Sequence, residues 1–111
     1  MKQKVSDYIA DRLAQEGISQ VFTVTGGGAM HLNDSLGHHP GLSCLYHHHE
    51  QAAAMAAEAY ARVDNRMAAV CVTSGPGATN AITGALCAWM DSKNPDACPV
   101  RTGAIRYHGA S

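Results

Sequence analysis

The sequence predicts an α/β domain with a three-layer α/β/α arrangement, in which a parallel sheet lies between two layers of helices. Short apolar segments that favour strands alternate along the chain with segments of helical pattern. Glycine-rich turns connect the predicted strands to the helices that follow them. Strands that alternate with helices in this way form parallel sheets with helices on both faces.

The first predicted helix covers residues 4–16. Val5, Ile9 and Leu13 recur at helical spacing on one face, and Gly17 stands where a helix would stop. This pattern predicts an amphipathic helix that packs against the sheet.

The next segments predict two strands with a short helix between them. The run QVFTVT, residues 20–25, favours a strand and leads directly into three glycines. Residues 29–37 favour a short helix that ends at Gly37. The apolar segment GLSCLY, residues 41–46, then predicts a second, buried strand.

The second half of the chain predicts one more strand between two helices. Residues 50–63 form an alanine-rich helix, and Glu58 and Arg62 are spaced for an ion pair on its exposed side. The segment MAAVCVTS, residues 67–74, is nearly all apolar, as strands buried on both faces are. Residues 75–90, GPGATNAITGALCAWM, predict a sharp turn and a third crossover helix.

Length and composition exclude several classes of protein. The 111 residues are enough for one small domain. With 46% hydrophobic residues, 15% charged residues and a net charge of -1, the chain fits a globular protein without a nucleic-acid partner. No apolar run is long enough to span a membrane, and the N-terminal segment lacks the apolar stretch of a signal peptide. We therefore expect a cytoplasmic location.

The cysteines and histidines do not have the spacing of a metal site. The cysteines show no C-x-x-C pattern and are interpreted as reduced core thiols: Cys44, Cys71, Cys87 and Cys98. The consecutive histidines at 47–49 point in different directions and cannot easily grip one ion. Three further histidines are interpreted as surface or packing residues: His31, His38 and His39. No metal-binding residue is therefore predicted.

Three unusual segments follow the ends of the predicted strands. They are TGGGAM at residues 25–30, HHHE at residues 47–50 and TSGPGATN at residues 73–80. In open parallel sheets the carboxyl ends of the strands share one edge, and ligands bind beyond that edge. We therefore expect the three segments to lie together at a binding site.

Each segment also has a purely structural interpretation. The glycines at 26–28 could form a plain structural turn, since glycine lets the backbone adopt positive φ or approach a ligand closely. Glu50 could be an acidic residue that the helix dipole favours in the first turn. The Gly-Pro-Gly turn can hold the next helix start in place, with Thr79 and Asn80 supplying polar groups there.

Taken together, three stretches resemble a known family. The stretches VFTVTGGGAMHLND, HHEQAAAMAAEAYAR and VTSGPGATNAITGALCAWMDS resemble the N-terminal pyrimidine-binding domain of thiamine diphosphate-dependent enzymes of the acetolactate synthase-like group. The resemblance runs from about Val5 to Ser92. It implies the thiamine diphosphate-binding fold and an incomplete pyrimidine-binding domain over residues 1–92, followed by an atypical tail over residues 93–111.

The resemblance assigns roles to six residues. Glu50 matches the glutamate that hydrogen-bonds the aminopyrimidine ring of the cofactor, favours its imino tautomer and so promotes formation of the reactive ylid. Gly26, Gly27 and Gly28 match the turn beside the reactive centre of the cofactor. Pro76 and Asn80 match residues that border the aminopyrimidine. The implied activity is decarboxylation and carboligation of 2-keto acids such as pyruvate, a transferase or lyase activity of branched-chain amino acid biosynthesis.

The resemblance also implies partners. Enzymes of this group carry a second domain whose Gly-Asp-Gly to Asn motif holds Mg²⁺ and the diphosphate, and this motif does not occur in the 111 residues. Their active sites lie between the subunits of a homo-oligomer, a dimer or a tetramer. The chain would then need a diphosphate-binding domain in cis or in trans and be inactive alone.

The residues after Asp91 depart from the family pattern. A buried strand close to IPMLVLSGQ is expected there, whereas the chain reads SKNPDACPVRTGAIRYHGAS. If Lys93 and Asn94 are encoded by AAA AAT, loss of one adenine permits the expected continuation. We hypothesise that the residues from about Asn94 onward are out of frame, and that the missing strands leave the sheet marginally stable.

Two alternatives remain open at this point. The chain could be a separate subunit of a two-chain thiamine diphosphate-dependent decarboxylase, which a neighbouring gene for the diphosphate domain would favour. It could also be a non-catalytic binding module or nucleotide-binding domain, for which unchanged ligand binding after Glu50→Ala would be the supporting observation.

Overall fold

The computed structural model describes residues 2–91, and the atypical tail lies outside the described residues. The elements, in chain order, are α1 (Val5–Gln15), β1 (Gln20–Thr23), a 3₁₀ turn (Gly27–Ala29), α2 (Met30–His38), β2 (Ser43–Tyr46), α3 (Glu50–Asp64), β3 (Ala69–Cys71), α4 (Pro76–Asn80) and α5 (Ile82–Asp91). Helices and strands alternate, as the sequence pattern predicts.

The strands form one parallel sheet in the order β2-β1-β3. Val21 of the central strand stands opposite Cys44 of β2 on one side and Ala69 of β3 on the other. Because all three strands run in the same direction, their carboxyl ends meet at one edge of the sheet. The predicted α/β class with a parallel sheet is confirmed.

Neighbouring residues of β1 serve two separate cores on opposite faces of the sheet. Val21 packs in a cluster with residues of α1 and α2, including Ala10 and Leu36. Phe22 packs in a second cluster with Ala53 and Ala57 of α3. Successive side chains of a strand point to opposite faces, so the sheet lies between a layer with α1 and α2 and a layer with α3. This is the three-layer arrangement.

The second strand is an exposed edge of the sheet, and its prediction as a buried strand was wrong. Leu45 and Tyr46 are 50% and 56% exposed, since β2 borders only β1 within residues 2–91. The third strand is also shorter than its apolar pattern suggests, because only Ala69–Cys71 pairs with β1. Apolar sequence alone did not reveal where the pairing ends.

The third crossover helix predicted after the Gly-Pro-Gly turn is divided into α4 and α5. The backbone N–H of Ala81 donates to the carbonyl oxygens of Ala78 and Thr79. This turn is tighter than an α-helix, and it separates α4 from α5. α5 then packs on α3. A side chain at Gly84 would meet the backbone of Ala54, so the two helices approach each other closely through this glycine.

The predicted ion pair on α3 forms, but not on an exposed face. The Glu58 side chain is only 10% exposed, and Arg62, which is 49% exposed, donates to its carboxylate. Glu58 lies one turn from Ala54, the residue that Gly84 of α5 approaches, and α5 covers this part of α3. The packing of α5 on α3 could not be predicted from the pattern of α3 itself.

The described cysteines are free thiols. Cys71 is buried, whereas Cys44 and Cys87 are half-buried, so the prediction of core thiols applies fully only to Cys71. Burial raises the pKa of Cys71 and of Cys44. Both therefore remain protonated thiols at neutral pH. Cys98 lies outside the described residues.

Candidate functional site

The three unusual segments lie at the carboxyl edge of the sheet. One follows β1 and contains the glycine triplet, one follows β2 and leads into α3, and one follows β3 and leads into α4. Side-chain contacts join them: Gly28 to Thr73, and Glu50 to Asn80. The sheet thus brings together residues that are distant in the sequence.

Glu50 is the first residue of α3, and the residue before it, His49, is the N-cap of this helix. His49 has extended backbone, and its Nδ1 accepts a hydrogen bond of 3.1 Å from the N–H of Gln51. A side chain that accepts from the first turn satisfies an N–H group that has no partner within the helix. The cap fixes the helix start and therefore the point from which Glu50 projects.

The carboxylate of Glu50 is held between two helices. Asn80, at the end of α4, donates from Nδ2 to Oε2 of Glu50 over 3.1 Å. Hydrogen bonds from the backbone N–H of Glu50, and secondly from Asn80, lower the pKa of the carboxyl group below its ordinary value of 4.5. The neighbouring His49 acts weakly in the same direction, and desolvation opposes the shift. Glu50 is therefore ionised at neutral pH and can accept a further hydrogen bond.

The Gly-Pro-Gly turn uses its two glycines for different reasons. Gly75 has a φ of 68°, a conformation that glycine adopts without strain, and Pro76 follows at the start of α4. Gly77 provides space instead. A Cβ there would lie 2.8 Å from Cγ2 of Thr73 and 3.3 Å from Oε1 of Glu50. Its lack of a side chain lets both residues approach the first turn of α4.

The glycine triplet does not use positive φ, so that part of the interpretation was wrong. Two of its members instead allow close approach of the Thr73 side chain, a neighbour that the sequence did not predict. A Cβ on Gly26 would lie 2.6 Å from Cγ2 of Thr73, and a Cβ on Gly28 would lie 2.9 Å from its Oγ1. A Cβ on Gly27 would meet nothing within 4 Å among the described residues. Packing explains Gly26 and Gly28 but not Gly27.

Thr73 is a site residue that the sequence analysis missed. Its hydroxyl oxygen accepts a hydrogen bond of 3.1 Å from the N–H of Gly28. Its side chain also contacts the positions of Gly26 and Gly77, which belong to two different turns. A β-branched residue directly after an apolar strand and just before a glycine turn is a weak signal, because its neighbours come from distant parts of the chain.

Four of the predicted site residues thus form a connected series, and Pro76 and Gly27 lie outside it. Gly26 and Gly28 lie against Thr73, Thr73 lies against Gly77, and Gly77 borders Glu50. The series ends at Asn80, the hydrogen-bond partner of Glu50. Pro76 begins the same short helix as Asn80 and is exposed, and Gly27 is exposed without such a contact.

The three consecutive histidines serve different purposes. The ring of His47 lies against Phe22 with ring centroids 5.7 Å apart, whereas His49 caps α3. Within residues 2–91, no group of three His, Cys, Asp or Glu side chains could hold a metal ion. In the same part of the chain, no helix has the length and apolarity that crossing a membrane requires.

His31, His38 and His39 lie away from this segment of three histidines. His31 and His38 are exposed, and His38 lies 3.2 Å from the carboxylate of Asp34. His39 is mostly buried, and its Nε2 lies 3.0 Å from Oδ1 of Asp11 while its Nδ1 accepts from Gly41. These contacts agree with the interpretation as surface and packing residues.

Comparison with known proteins gives a match over most of the chain. The family model described as "Thiamine pyrophosphate enzyme, N-terminal TPP binding domain" matches residues 3–94. The acetolactate synthase large subunit of Haemophilus influenzae is 41% identical over 87 residues, which cover 78% of this chain and 15% of that protein. The acetolactate synthase isozyme 3 large subunit of Escherichia coli matches with the same identity and coverage.

A plant relative shows the same relationship. The protein named acetolactate synthase 2, chloroplastic, of Zea mays is 38% identical over 90 residues, covering 81% of this chain and 14% of the relative. The chain therefore spans about 15% of the length of the curated relatives it matches.

Proposed function

Because the chain belongs to the family of N-terminal TPP (thiamine diphosphate) binding domains of thiamine pyrophosphate enzymes, we propose that it binds the aminopyrimidine of thiamine diphosphate through Glu50. The intact enzyme in this proposal is acetolactate synthase-like and acts on 2-keto acids such as pyruvate. The chain contributes the pyrimidine half of the site. Gly26, Gly27, Gly28, Pro76 and Asn80 border the cofactor there.

The observation that carries the proposal is the state of Glu50. Its carboxylate is oriented by Asn80 and by the start of α3, and it is ionised at neutral pH because its pKa lies below the ordinary value of 4.5, which is itself well below neutral pH. An ionised carboxylate accepts hydrogen bonds only, so it suits a ring nitrogen that carries a proton. Glu50 thus holds a proton at the ring nitrogen of the aminopyrimidine.

The glycines agree with a flat ligand next to this carboxylate. Gly77 places no side chain against Oε1 of Glu50, since a Cβ there would lie 3.3 Å from that oxygen. Gly27 is the glycine of the triplet whose Cβ position is open. A glycine that packing does not require, at the ligand edge of a parallel sheet, suits close approach of a ligand to the backbone.

The bound cofactor supplies an electron-accepting centre for breaking and forming bonds beside the carbonyl of a 2-keto acid. The residues of this chain bind and orient the aminopyrimidine for that chemistry. In the proposal, Mg²⁺ and the diphosphate are held by a second domain, supplied in cis or in trans, within a homo-oligomer of two or four subunits. We also propose a cytoplasmic location for this enzyme.

Saturation-transfer NMR on the 111-residue chain with thiamine diphosphate tests the proposal and suits the weak binding expected of half a site. We expect stronger saturation of the pyrimidine protons than of the thiazolium protons. Glu50→Ala should reduce the pyrimidine signal several-fold, since it removes the carboxylate that accepts from the ring. Gly27→Ala should reduce the same signal without lowering thermal stability, because its Cβ has room in the described residues.

Glu16→Ala is the matched control, because Glu16 is an exposed glutamate directly after α1 that pairs with Arg12. Exposed pairs of this kind contribute little stability, about 0–1 kcal/mol. The control should keep the wild-type saturation pattern. Equal signals in wild type and Glu50→Ala would contradict the proposal and favour a binding module of another kind. Each variant is first checked for a wild-type circular dichroism spectrum.

A second measurement addresses activity. With pyruvate, Mg²⁺ and thiamine diphosphate, we expect no acetolactate from the 111-residue chain alone, since the diphosphate-binding motif does not occur in it. Turnover by the purified chain would contradict the half-site proposal. The alternative is that the chain is a separate subunit of a two-chain decarboxylase. In that case addition of the partner chain should restore activity. A neighbouring gene with the Gly-Asp-Gly to Asn motif would identify the partner.

A further inference from the structure

Thr73 lies between the two turns that border the candidate site. It follows β3, and its half-buried side chain faces the glycine triplet on one side and the first turn of α4 on the other. Thr73 is not among the six residues to which the family resemblance assigns a role.

The hydroxyl group of Thr73 fixes one of these turns. The N–H of Gly28 donates to Oγ1 of Thr73 over 3.1 Å. Gly28 lies in the short 3₁₀ turn Gly27–Ala29, at the start of a helical segment whose first N–H groups lack partners within the helix. The threonine hydroxyl supplies such a partner from a different strand of the sheet.

The methyl group of Thr73 packs between the turns. Its Cγ2 lies 2.6 Å from the Cβ position of Gly26 and 2.8 Å from that of Gly77. Neither residue could carry a Cβ at such a distance, so the approach of Cγ2 requires glycine at both positions. Gly77 in turn borders Oε1 of Glu50. A displacement of Thr73 would therefore move the glycine triplet relative to the carboxylate.

We propose that Thr73 is a positioning residue that holds the glycine triplet at a fixed distance from Glu50, so that the two can contact one aminopyrimidine ring. The inference rests on the proposed function of Glu50. Thr73 acts through Gly28 and through the turns, not by touching the cofactor.

Two substitutions separate this role from simple packing. Thr73→Val keeps the shape and the β-branching of threonine but removes the acceptor for the Gly28 N–H. Thr73→Ser keeps the hydroxyl and removes the methyl group. If Thr73 only filled space, valine would be the better replacement. If its hydrogen bond positions the glycine triplet, serine rescues and valine does not.

The first readout is hydrogen exchange of the Gly28 amide, followed by NMR. We expect Thr73→Val to speed exchange about fivefold, since a net hydrogen bond of ordinary strength is lost. Thr73→Ser should stay within about twofold of the wild type, because it retains the acceptor. Thr83→Val, at an exposed threonine of α5, is the control and should leave this rate unchanged.

The second readout is saturation transfer to thiamine diphosphate. Thr73→Val should lower saturation of the pyrimidine protons several-fold, and Thr73→Ser should retain it. If Thr73→Val lacks the wild-type circular dichroism spectrum, Thr73→Ala takes its place with the same expected results, because it also lacks the acceptor.

The outcomes are distinguishable. If the wild type shows no saturation transfer, the proposed function fails, and the positioning role falls with it. If the wild type binds and Thr73→Val binds equally well, or if Gly28 exchange does not change in that variant, the positioning role alone is overturned. Faster Gly28 exchange together with weaker binding, both rescued by serine, supports it.

Discussion

Gly84→Ala should destabilise the domain, because Gly84 is where α5 meets the backbone of α3. The added Cβ would lie 2.9 Å from the carbonyl carbon of Ala54 and 3.0 Å from the nitrogen of Met55. Side-chain Cβ atoms do not approach backbone so closely, and a backbone cannot rotate away as a flexible side chain can. The two helices must therefore move apart.

The magnitude follows from two opposing effects. Forcing extra volume into a packed interface costs about 1–3 kcal/mol. Alanine gains about 1 kcal/mol over glycine inside a helix. Since the contacts are with backbone, we expect a net loss of about 1–2 kcal/mol in the free energy of unfolding. For a domain of this size that lowers Tm by roughly 5–15 °C.

The assay is thermal and urea denaturation followed by circular dichroism. Gly37→Ala is the matched control, because Gly37 also lies in a helix but its Cβ would meet only the far end of the Tyr46 side chain, at 3.3 Å. That variant should be as stable as the wild type or slightly more stable. A Gly84→Ala protein with wild-type Tm would refute the close packing of α5 on α3, and with it our account of how α3 is held.

Four further predictions concern the carboxylate, the sheet and the gene. Asn80→Ala should raise the pKa of Glu50 toward its ordinary value of 4.5, because the ionised form loses a donor; an unchanged carboxyl ¹³C titration would contradict the hydrogen bond. Because the pKa of Glu50 is lower in the folded than in the unfolded chain, its ionised carboxylate stabilises the fold above pH about 4.5. This contribution disappears as the pH falls through the folded-state pKa. Glu50→Gln should therefore lose less stability on acidification than the wild type. The isolated chain should melt at low temperature and aggregate through its sheet edges, whereas a cooperative melt of monomer well above room temperature would count against this. Genomic DNA read from codon 90 should show an adenine run at Lys93 and Asn94 whose correction restores a long frame; a closed frame would reject the frameshift hypothesis.

Much of the fold was predictable because it depends on local pattern. The strand before the glycine triplet, the alanine-rich helix and the Gly-Pro-Gly turn were each recognised from residues adjacent in sequence. Their meeting at one edge followed from the rule that parallel strands share a carboxyl end. The candidate site could be located in this way, since Glu50 and Asn80 both follow strands of the same sheet.

Other features could not be predicted, since they depend on neighbours from distant parts of the chain. The exposure of Tyr46 reflects the position of β2 at the edge of the sheet. The burial of Glu58 reflects the helix that covers α3. Neither sheet order nor helix cover is encoded in the periodicity of a single element.

The sequence by itself determined the types of element, their order and the place of Glu50 as the acidic residue at the carboxyl edge of the sheet. Only the tertiary structure decided what each glycine does. Gly75 adopts a positive φ, and Gly77 allows Glu50 to approach the backbone. Gly27 is required neither by packing among the described residues nor by a positive φ. The tertiary structure also decided that Thr73 joins the turns. Local preferences depend on a few neighbouring residues, whereas close approach depends on which backbone lies opposite, and that is fixed only when the sheet and its helices are packed.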